Sequence, residues 1–204
     1  MNFNKLFIEL NKLANSEKAE QMSAYMKNQF VYLGVQTPQR RAVCKSFFKV
    51  TARETVDWAF IEQCWASPYR ELQYAAIDYL NMIKTQLTAR DIPSLHGLII
   101  RKSWWDTIDG LDRIVGSIAL NYPEVNETLL AWSRDDNFWL RRVAIDHQLL
   151  RKEKTDTALL EKILLNNLGQ REFFINKAIG WILRDYSKTD PAWVCDFIER
   201  HRES

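Results

Sequence analysis

The chain has 204 residues, of which 47% are apolar and eight are tryptophan, so it can bury a sizeable core and is not a disordered segment. Only six glycines and five prolines interrupt it, which disfavours hairpin-rich β folds and predicts an all-α protein. A net charge of +2 and a pI near 8.4 do not by themselves indicate a nucleic-acid binder, because such binding depends on a local basic surface.

Neither the cysteines nor the histidines have the spacing of a disulfide framework or a metal site. These residues are scattered along the chain: Cys44, Cys64, Cys195, His96, His147 and His201. No apolar run approaches the length that spans a membrane. We therefore expect a protein of a reduced, cytoplasmic compartment, with no metal or other cofactor and no membrane partner.

Apolar periodicity predicts twelve helices separated by short breaks. In chain order they cover residues 4–13, 17–29, 38–50, 53–65, 69–84, 89–102, 104–121, 124–133, 138–152, 156–168, 171–188 and 191–202. Proline-containing turn signals lie at residues 34–38, 122–123 and 189–191.

The stretch from residue 21 to residue 53 carries basic residues but no acidic residue. Its members are Lys27, Arg40, Arg41, Lys45, Lys49 and Arg53. Such a run favours a local basic surface, although a solvated helix face explains it equally well.

The segment 103–109 reads Ser-Trp-Trp-Asp-Thr-Ile-Asp and opens a predicted helix. Ser103 is expected to be its N-cap and Asp106 the return carboxylate of a capping box. Asp109 lies one turn further on, where aspartate is a poor helix former and no helix end needs its charge. Trp105 and Asp109 share a helix face, so an indole stands beside a carboxylate and the pair suits a cation. A buried tryptophan with an exposed aspartate is the alternative.

A small residue followed by a large one recurs every 34 residues. The copies are Ala76-Ile77, Gly110-Leu111, Ala144-Ile145 and Ala178-Ile179. This period is typical of a helix-pair repeat, so the chain is predicted to be one domain over residues 1–204, an α-solenoid of HEAT-like antiparallel helix pairs with a concave face. Chance recurrence among alanine- and leucine-rich helices is the alternative.

Equivalent positions in a solenoid point the same way, so the repeat register predicts which side chains converge. Asp109 is equivalent to Val143, the neighbour of Arg142, and to Lys177. The register therefore predicts one inner surface shared by five residues of three repeats: Trp105, Asp109, Arg142, Lys177 and Trp181.

Four blocks of sequence follow one another along nearly the whole chain. They begin at Tyr25, Lys102, Asn137 and Glu172 and read YMKNQFVYLGVQTPQRR, KSWWDTID, NFWLRRVAI and EFFINKAIGWILR. Together they resemble the AlkD-like DNA alkylation repair family, the HEAT-like-repeat 3-methyladenine DNA glycosylases. Helix-pair repeats are common, but this set of blocks is specific.

The resemblance implies roles for individual residues. Asp109 would be the catalytic carboxylate, Trp105 and Trp181 the aromatic walls of a cleft, and Tyr25 a further wall. Arg142 would anchor a phosphate. The remaining DNA contacts would come from other basic residues, namely Lys27, Arg40, Arg41 and Lys177.

The implied chemistry is hydrolysis of the N-glycosidic bond of cationic N3- or N7-alkylated purines in double-stranded DNA. Such a base leaves as a neutral molecule, so one carboxylate and indole faces suffice and no second acid is needed. No lysine is clearly poised as a nucleophile, so a monofunctional glycosylase acting as a monomer is expected. The alternative is a non-catalytic HEAT-like scaffold that binds DNA or a peptide.

Overall fold

The computed structural model describes residues 1–49 and 55–202, within which the chain forms twelve α-helices. They are α1 (Phe3–Asn11), α2 (Ser16–Tyr25), α3 (Thr37–Phe48), α4 (Trp58–Ala66), α5 (Arg70–Met82), α6 (Ile92–Ile99), α7 (Trp105–Asn121), α8 (Val125–Trp132), α9 (Phe138–Asp146), α10 (Thr157–Leu165), α11 (Phe173–Tyr186) and α12 (Pro191–Arg200). The predicted all-α fold class is confirmed. Val50 and Arg53, at the ends of two predicted helices, lie outside the described residues. In the part that is described, no helix has both the length and the apolar character needed to cross a membrane.

The chain divides into two compact units, Met1–Gln86 and Leu87–Ser204. In the first unit α3 packs against α1 and α5, and α4 packs against α5 and α1. In the second unit α9 lies between α7 and α11 in one layer, while α8 contacts α7, α9 and α10 from a second layer. Helices that alternate along the chain therefore pack side by side in the same layer, as they do in the helix pairs of an α-solenoid.

Two predicted helices end four or six residues earlier than their periodicity suggests. The helix predicted over residues 17–29 ends at Tyr25, because Lys27 and Asn28 adopt left-handed conformations with φ of 58° and 57°. The helix predicted over residues 138–152 ends at Asp146, and the φ angles of Leu150 and Lys152 are again positive, at 65° and 54°. A positive φ breaks the ladder of helical hydrogen bonds, so apolar periodicity alone overruns these ends.

A buried carboxylate shapes the loop that precedes α3. Glu71 of α5 is fully buried and accepts hydrogen bonds from the backbone N–H groups of Leu33, Gly34 and Val35 at 2.9–3.1 Å. Gly34 has a φ of 86°, and an added Cβ would lie 2.0 Å from the Asn15 carbonyl oxygen. Only glycine fits this turn, and Glu71 satisfies the amides that the turn leaves without helical partners.

Gly116 sets the close approach of α7 to the end of α9. A Cβ at this position would lie 2.0 Å from the carbonyl oxygen and 3.0 Å from the carbonyl carbon of His147. Asp112 lies one turn before Gly116 on α7, and Asp146 directly precedes His147. The glycine therefore brings two aspartates of neighbouring helices close together.

We expect Gly116→Ala to destabilise the second unit by about 1–3 kcal/mol or more, because the added methyl group overlaps backbone that cannot move aside. Gly180→Ala is the matched control, since Gly180 lies inside α11 and a Cβ there meets nothing within 4 Å. Alanine is the better helix former, so this control should gain up to about 1 kcal/mol. The midpoint of urea denaturation measures both changes, and equal midpoints for the two variants would contradict the close approach.

Candidate active site

The start of α7 differs from the sequence prediction. Trp104 is the N-cap residue, and no side chain caps the helix. The predicted capping box of Ser103 and Asp106 is therefore wrong. Lys102 has a φ of 51°, which turns the chain so that the Ser103 hydroxyl donates to the Ile99 carbonyl at 2.5 Å and closes the end of α6 instead. Asp106 lies half-buried in the first turn of α7, three residues before Asp109, and does not form the predicted capping box.

The centre of the site is an ion pair between α7 and α9. Arg142 donates from Nε and Nη2 to Asp109 Oδ1 at 2.9 and 2.8 Å, and its Nη1 donates to the Phe174 carbonyl at 2.7 Å. Arg142 is 1% exposed, whereas the Asp109 side chain is 23% exposed. The arginine thus joins three successive helices of one layer and holds a carboxylate that solvent can still reach.

The Asp109 carboxyl is under opposing influences. Burial, the largest, raises its pKa above the ordinary range, while the charge and hydrogen bonds of Arg142 and the charge of Arg113 lower the pKa. A weaker repulsion from Asp106 raises the pKa again. The pKa of Asp109 remains raised overall, and Arg142 is the main group that favours its ionised form.

Trp181 of α11 lies beside two arginines of the site. The guanidinium carbon of Arg113 is 5.5 Å from the indole centroid, and that of Arg142 is 5.9 Å away. Both distances are in the range of cation–π contacts. Trp181 is half-buried, so part of its indole remains accessible beside these two arginines.

Asp112 and Asp146 complete the polar cluster, and sequence reasoning missed both. Each is fully buried, and one oxygen of each lies within 4.8 Å of the other and of an Asp109 oxygen. Three such carboxylates could hold a cation, but the Arg142 Nη2 already lies 2.8 Å from Asp109 and 3.6 Å from Asp146. The guanidinium of Arg142 therefore already supplies positive charge at this position.

The repeat carried a signal for these two acids. Asp78, Asp112 and Asp146 are spaced by 34 residues and directly follow three of the four small–large pairs. An acid repeated at one helical phase beside a small–large pair is unusual, and where it is buried it needs partners. Arg113, which follows Asp112 on α7, is one such partner, with its Nε 3.4 Å from Asp112 Oδ1.

Aromatic side chains fix the register of the three helix starts in this layer. Trp104 lies 5.9 Å from Trp139 and 5.3 Å from Phe174, measured between ring centroids. Trp139 and Phe174 are 4.9 Å apart, and Phe138 stacks on Phe174 at 6.3 Å. These contacts tie the starts of α7, α9 and α11 together, which places Asp109, Arg142 and Trp181 on neighbouring turns.

The other two predicted site residues of this unit lie one turn before Asp109 and Trp181 on the same helices. Trp105 is the first residue of α7 and is half-buried, one turn before Asp109. Lys177 is exposed, one turn before Trp181, with its Nζ 5.7 Å from the ring centroid of Phe173. Phe173 itself is 64% exposed.

The remaining predicted DNA-binding residues belong to the first unit. Tyr25, at the end of α2, is 70% exposed, and Lys27 and Arg41 are also exposed. Arg40 is only 5% exposed, with its guanidinium 4.9 Å from the Tyr74 centroid and its Nε bonded to Asp78 at 3.0 Å. Of the basic run, Lys45 and Lys49 are exposed, and Arg53 lies outside the described residues.

The helix stacking and the buried acid–arginine cluster define a helical-repeat protein with ionisable groups gathered on one layer. Residues 8–204 match the family model of the DNA alkylation repair enzymes, and the chain belongs to that family. It is similar to a solved structure, a predicted DNA alkylation repair enzyme from Enterococcus faecalis, with 36% identity and a TM-score of 0.87 over 94% of this chain and 91% of that chain. Comparison with curated proteins found no match. A DNA repair role, with DNA as the partner, follows from the family.

Proposed function

We propose that this protein is a monofunctional DNA glycosylase that hydrolyses the N-glycosidic bond of cationic N3- and N7-alkylated purines in duplex DNA. It acts as a monomer and without a cofactor, and it does not enclose the base in a pocket. The observation that carries the proposal is the Asp109 carboxylate, held by two hydrogen bonds from buried Arg142 beside the Trp181 indole. Membership of a DNA alkylation repair family supports the choice of substrate.

In the reaction, the bond between the sugar C1′ and the purine nitrogen breaks, and its electron pair leaves with the base. An alkylated purine carries a positive charge before cleavage, so it departs neutral and the positive charge moves to the sugar. The ionised Asp109 stabilises this charge and orients a water molecule, which adds to C1′ and releases a proton to solvent. Trp105 and Trp181 are assigned as the aromatic walls that attract the cationic lesion. An abasic site and a free base result.

Binding to DNA is assigned to exposed cations on both units. Lys27 and Arg41 of the first unit and Lys177 of the second are exposed and suit phosphate contacts, while Tyr25 offers an exposed aromatic face. Asp78 and Tyr74 already occupy the guanidinium of Arg40. Arg40 therefore contributes buried positive charge next to Arg41 and not a direct phosphate contact.

Arg142→Ala should weaken DNA binding and lower the slope of log affinity against log salt by about one unit, if Arg142 neutralises one phosphate. Three of its five N–H donors are used by Asp109 and Phe174, so a phosphate would have to reach the remaining N–H groups of a side chain that is 1% exposed. Arg142→Lys keeps the charge but not the fork, so it should retain the slope and lose affinity. A salt titration of binding by fluorescence anisotropy measures both. An unchanged slope in Arg142→Ala would limit Arg142 to its ion pair with Asp109.

The proposed function is tested by incubating the protein with methylated duplex DNA and separating the released bases by chromatography. We expect free 3-methyladenine or 7-methylguanine, accompanied by an equal number of abasic sites. DNA binding without any released base would refute the glycosylase and leave a non-catalytic DNA-binding scaffold.

A further inference from the structure

In the part of the chain that the structure describes, two buried aspartates next to the ion pair of Asp109 and Arg142 lack the hydrogen bonds that buried carboxylates ordinarily accept. Asp112 of α7 and Asp146 of α9 are both 0% exposed. None of their four carboxyl oxygens has a hydrogen-bond partner among the described residues. Their nearest oxygens lie within 4.8 Å of each other. Two ionised carboxylates in so small a buried volume repel each other strongly, and each has also lost its hydration.

The charges around the two aspartates are unequal. Arg142 Nη2 lies 3.6 Å from Asp146 Oδ2, and Arg113 Nε lies 3.4 Å from Asp112 Oδ1. With Asp109 included, three carboxylates face two guanidiniums, which leaves one negative charge in excess. A single added proton brings the cluster to neutrality.

Charged groups on the other helices that pack against α9 are engaged elsewhere or exposed. Glu127 of α8, Lys162 of α10, and Lys177 and Arg184 of α11 are exposed. The others have partners away from the pair: His96 of α6 with Trp132, Glu161 of α10 with Arg200, and Asp185 of α11 with the Leu150 amide and Lys188. His147, which follows Asp146, is buried and bonds the Ala144 carbonyl, and burial lowers its pKa to about 3, so it is neutral.

We propose that Asp112 and Asp146 share one proton at neutral pH and act as a positioning pair that keeps the Arg142 guanidinium on Asp109. The proton lies on one of the two acids and removes the repulsion between two buried negative charges. Without it, a fully charged Asp146 would compete with Asp109 for Nη2, which now lies 2.8 Å from Asp109 and 3.6 Å from Asp146. The consequence for base release rests on the proposed function, whereas the shared proton does not.

The electrostatics of the cluster support a retained proton. Burial raises the pKa of Asp146 to about 7, with the Asp109 charge adding to the effect and Arg142 opposing it. Burial and the Asp146 charge raise the pKa of Asp112 well above the ordinary range. Because the two acids interact, the protons belong to the pair, and one remains bound after the first has left near neutrality.

Infrared difference spectroscopy of the full chain at neutral pH tests the shared proton directly. Wild type should show the C=O stretch of one protonated, buried carboxyl. Asp112→Asn and Asp146→Asn should each remove that band, because the amide takes the place of the neutral acid and the remaining aspartate ionises. Asp106→Asn, on the same helix but outside the pair, should keep the band. A wild-type protein without the band, or a band that persists in both single variants, would overturn the proposal.

The pH profile of base release tests the positioning role, after spontaneous release has been subtracted. The wild-type rate should decline on the alkaline side, where the pair loses its shared proton. Each single variant should lack this decline, because an amide does not ionise. An identical alkaline decline in all three proteins would refute the positioning role, and so would a flat profile in wild type. If wild type released no base at any pH, the proposed function would fail, and the carboxyl band would still decide the shared proton.

Discussion

Asp109→Asn should slow base release by about a hundred- to a thousand-fold, a loss typical of removing one electrostatic group from a preorganised site. The amide keeps the shape of the side chain and can still accept from Arg142, so the fold is expected to persist. Only the negative charge that stabilises the sugar cation is lost. Single-turnover release of 7-methylguanine from a defined duplex measures the change, and DNA affinity should remain close to that of wild type.

Asp106→Asn is the matched control for this experiment. Asp106 lies three residues earlier on α7, in the first turn, and its charge only weakly raises the pKa of Asp109. We expect its rate to stay near that of wild type. Full activity in Asp109→Asn would remove that residue from the chemistry, and a large loss in Asp106→Asn would identify a second acid.

Excision should follow the positive charge of the lesion. Cationic N3- and N7-alkylpurines should be released, whereas neutral lesions such as hypoxanthine or uracil should stay in place, because a neutral base is a poor leaving group without a proton donor. Single-turnover comparison of duplexes that each carry one lesion measures the ratio of rates. Adduct size should matter little, since the proposed mechanism does not enclose the base.

Rapid release of a neutral base would contradict this prediction and require a general acid. Asp106 is the first candidate, because it is half-buried in the first turn of α7, three residues before Asp109. The Asp112–Asp146 pair is a less suitable donor, since both carboxyls are fully buried. Combining Asp106→Asn with the neutral lesion would separate the two sources.

The sequence predicted the helices and their convergence well. All twelve predicted helices occur in order, because apolar periodicity over ten or more residues is a strong signal. The repeat register also placed Arg142 next to Asp109 across 33 positions of sequence, and their hydrogen bonds agree with it. Equivalent positions on stacked helices face the same way whatever the local side chains are.

Other features depended on details that periodicity does not carry. Ser103 has the residue type and spacing of an N-cap, but the positive φ of Lys102 gives its hydroxyl to the preceding helix. Arg40 belongs to a basic run, yet it is buried in an ion pair with Asp78, a residue distant in sequence. Asp112 and Asp146 became neighbours through the close approach at Gly116, which a pattern of small and large residues indicates only after the helices are stacked.

The most direct test of the central claim follows one 7-methylguanine in a duplex under excess wild-type protein. We predict that the free base appears with first-order kinetics, that an abasic site appears in equal amount, and that no covalent protein–DNA adduct is trapped by borohydride. A lesion that stays intact while the protein is bound would contradict catalysis. A trapped adduct would contradict hydrolysis by water and direct attention to Lys177.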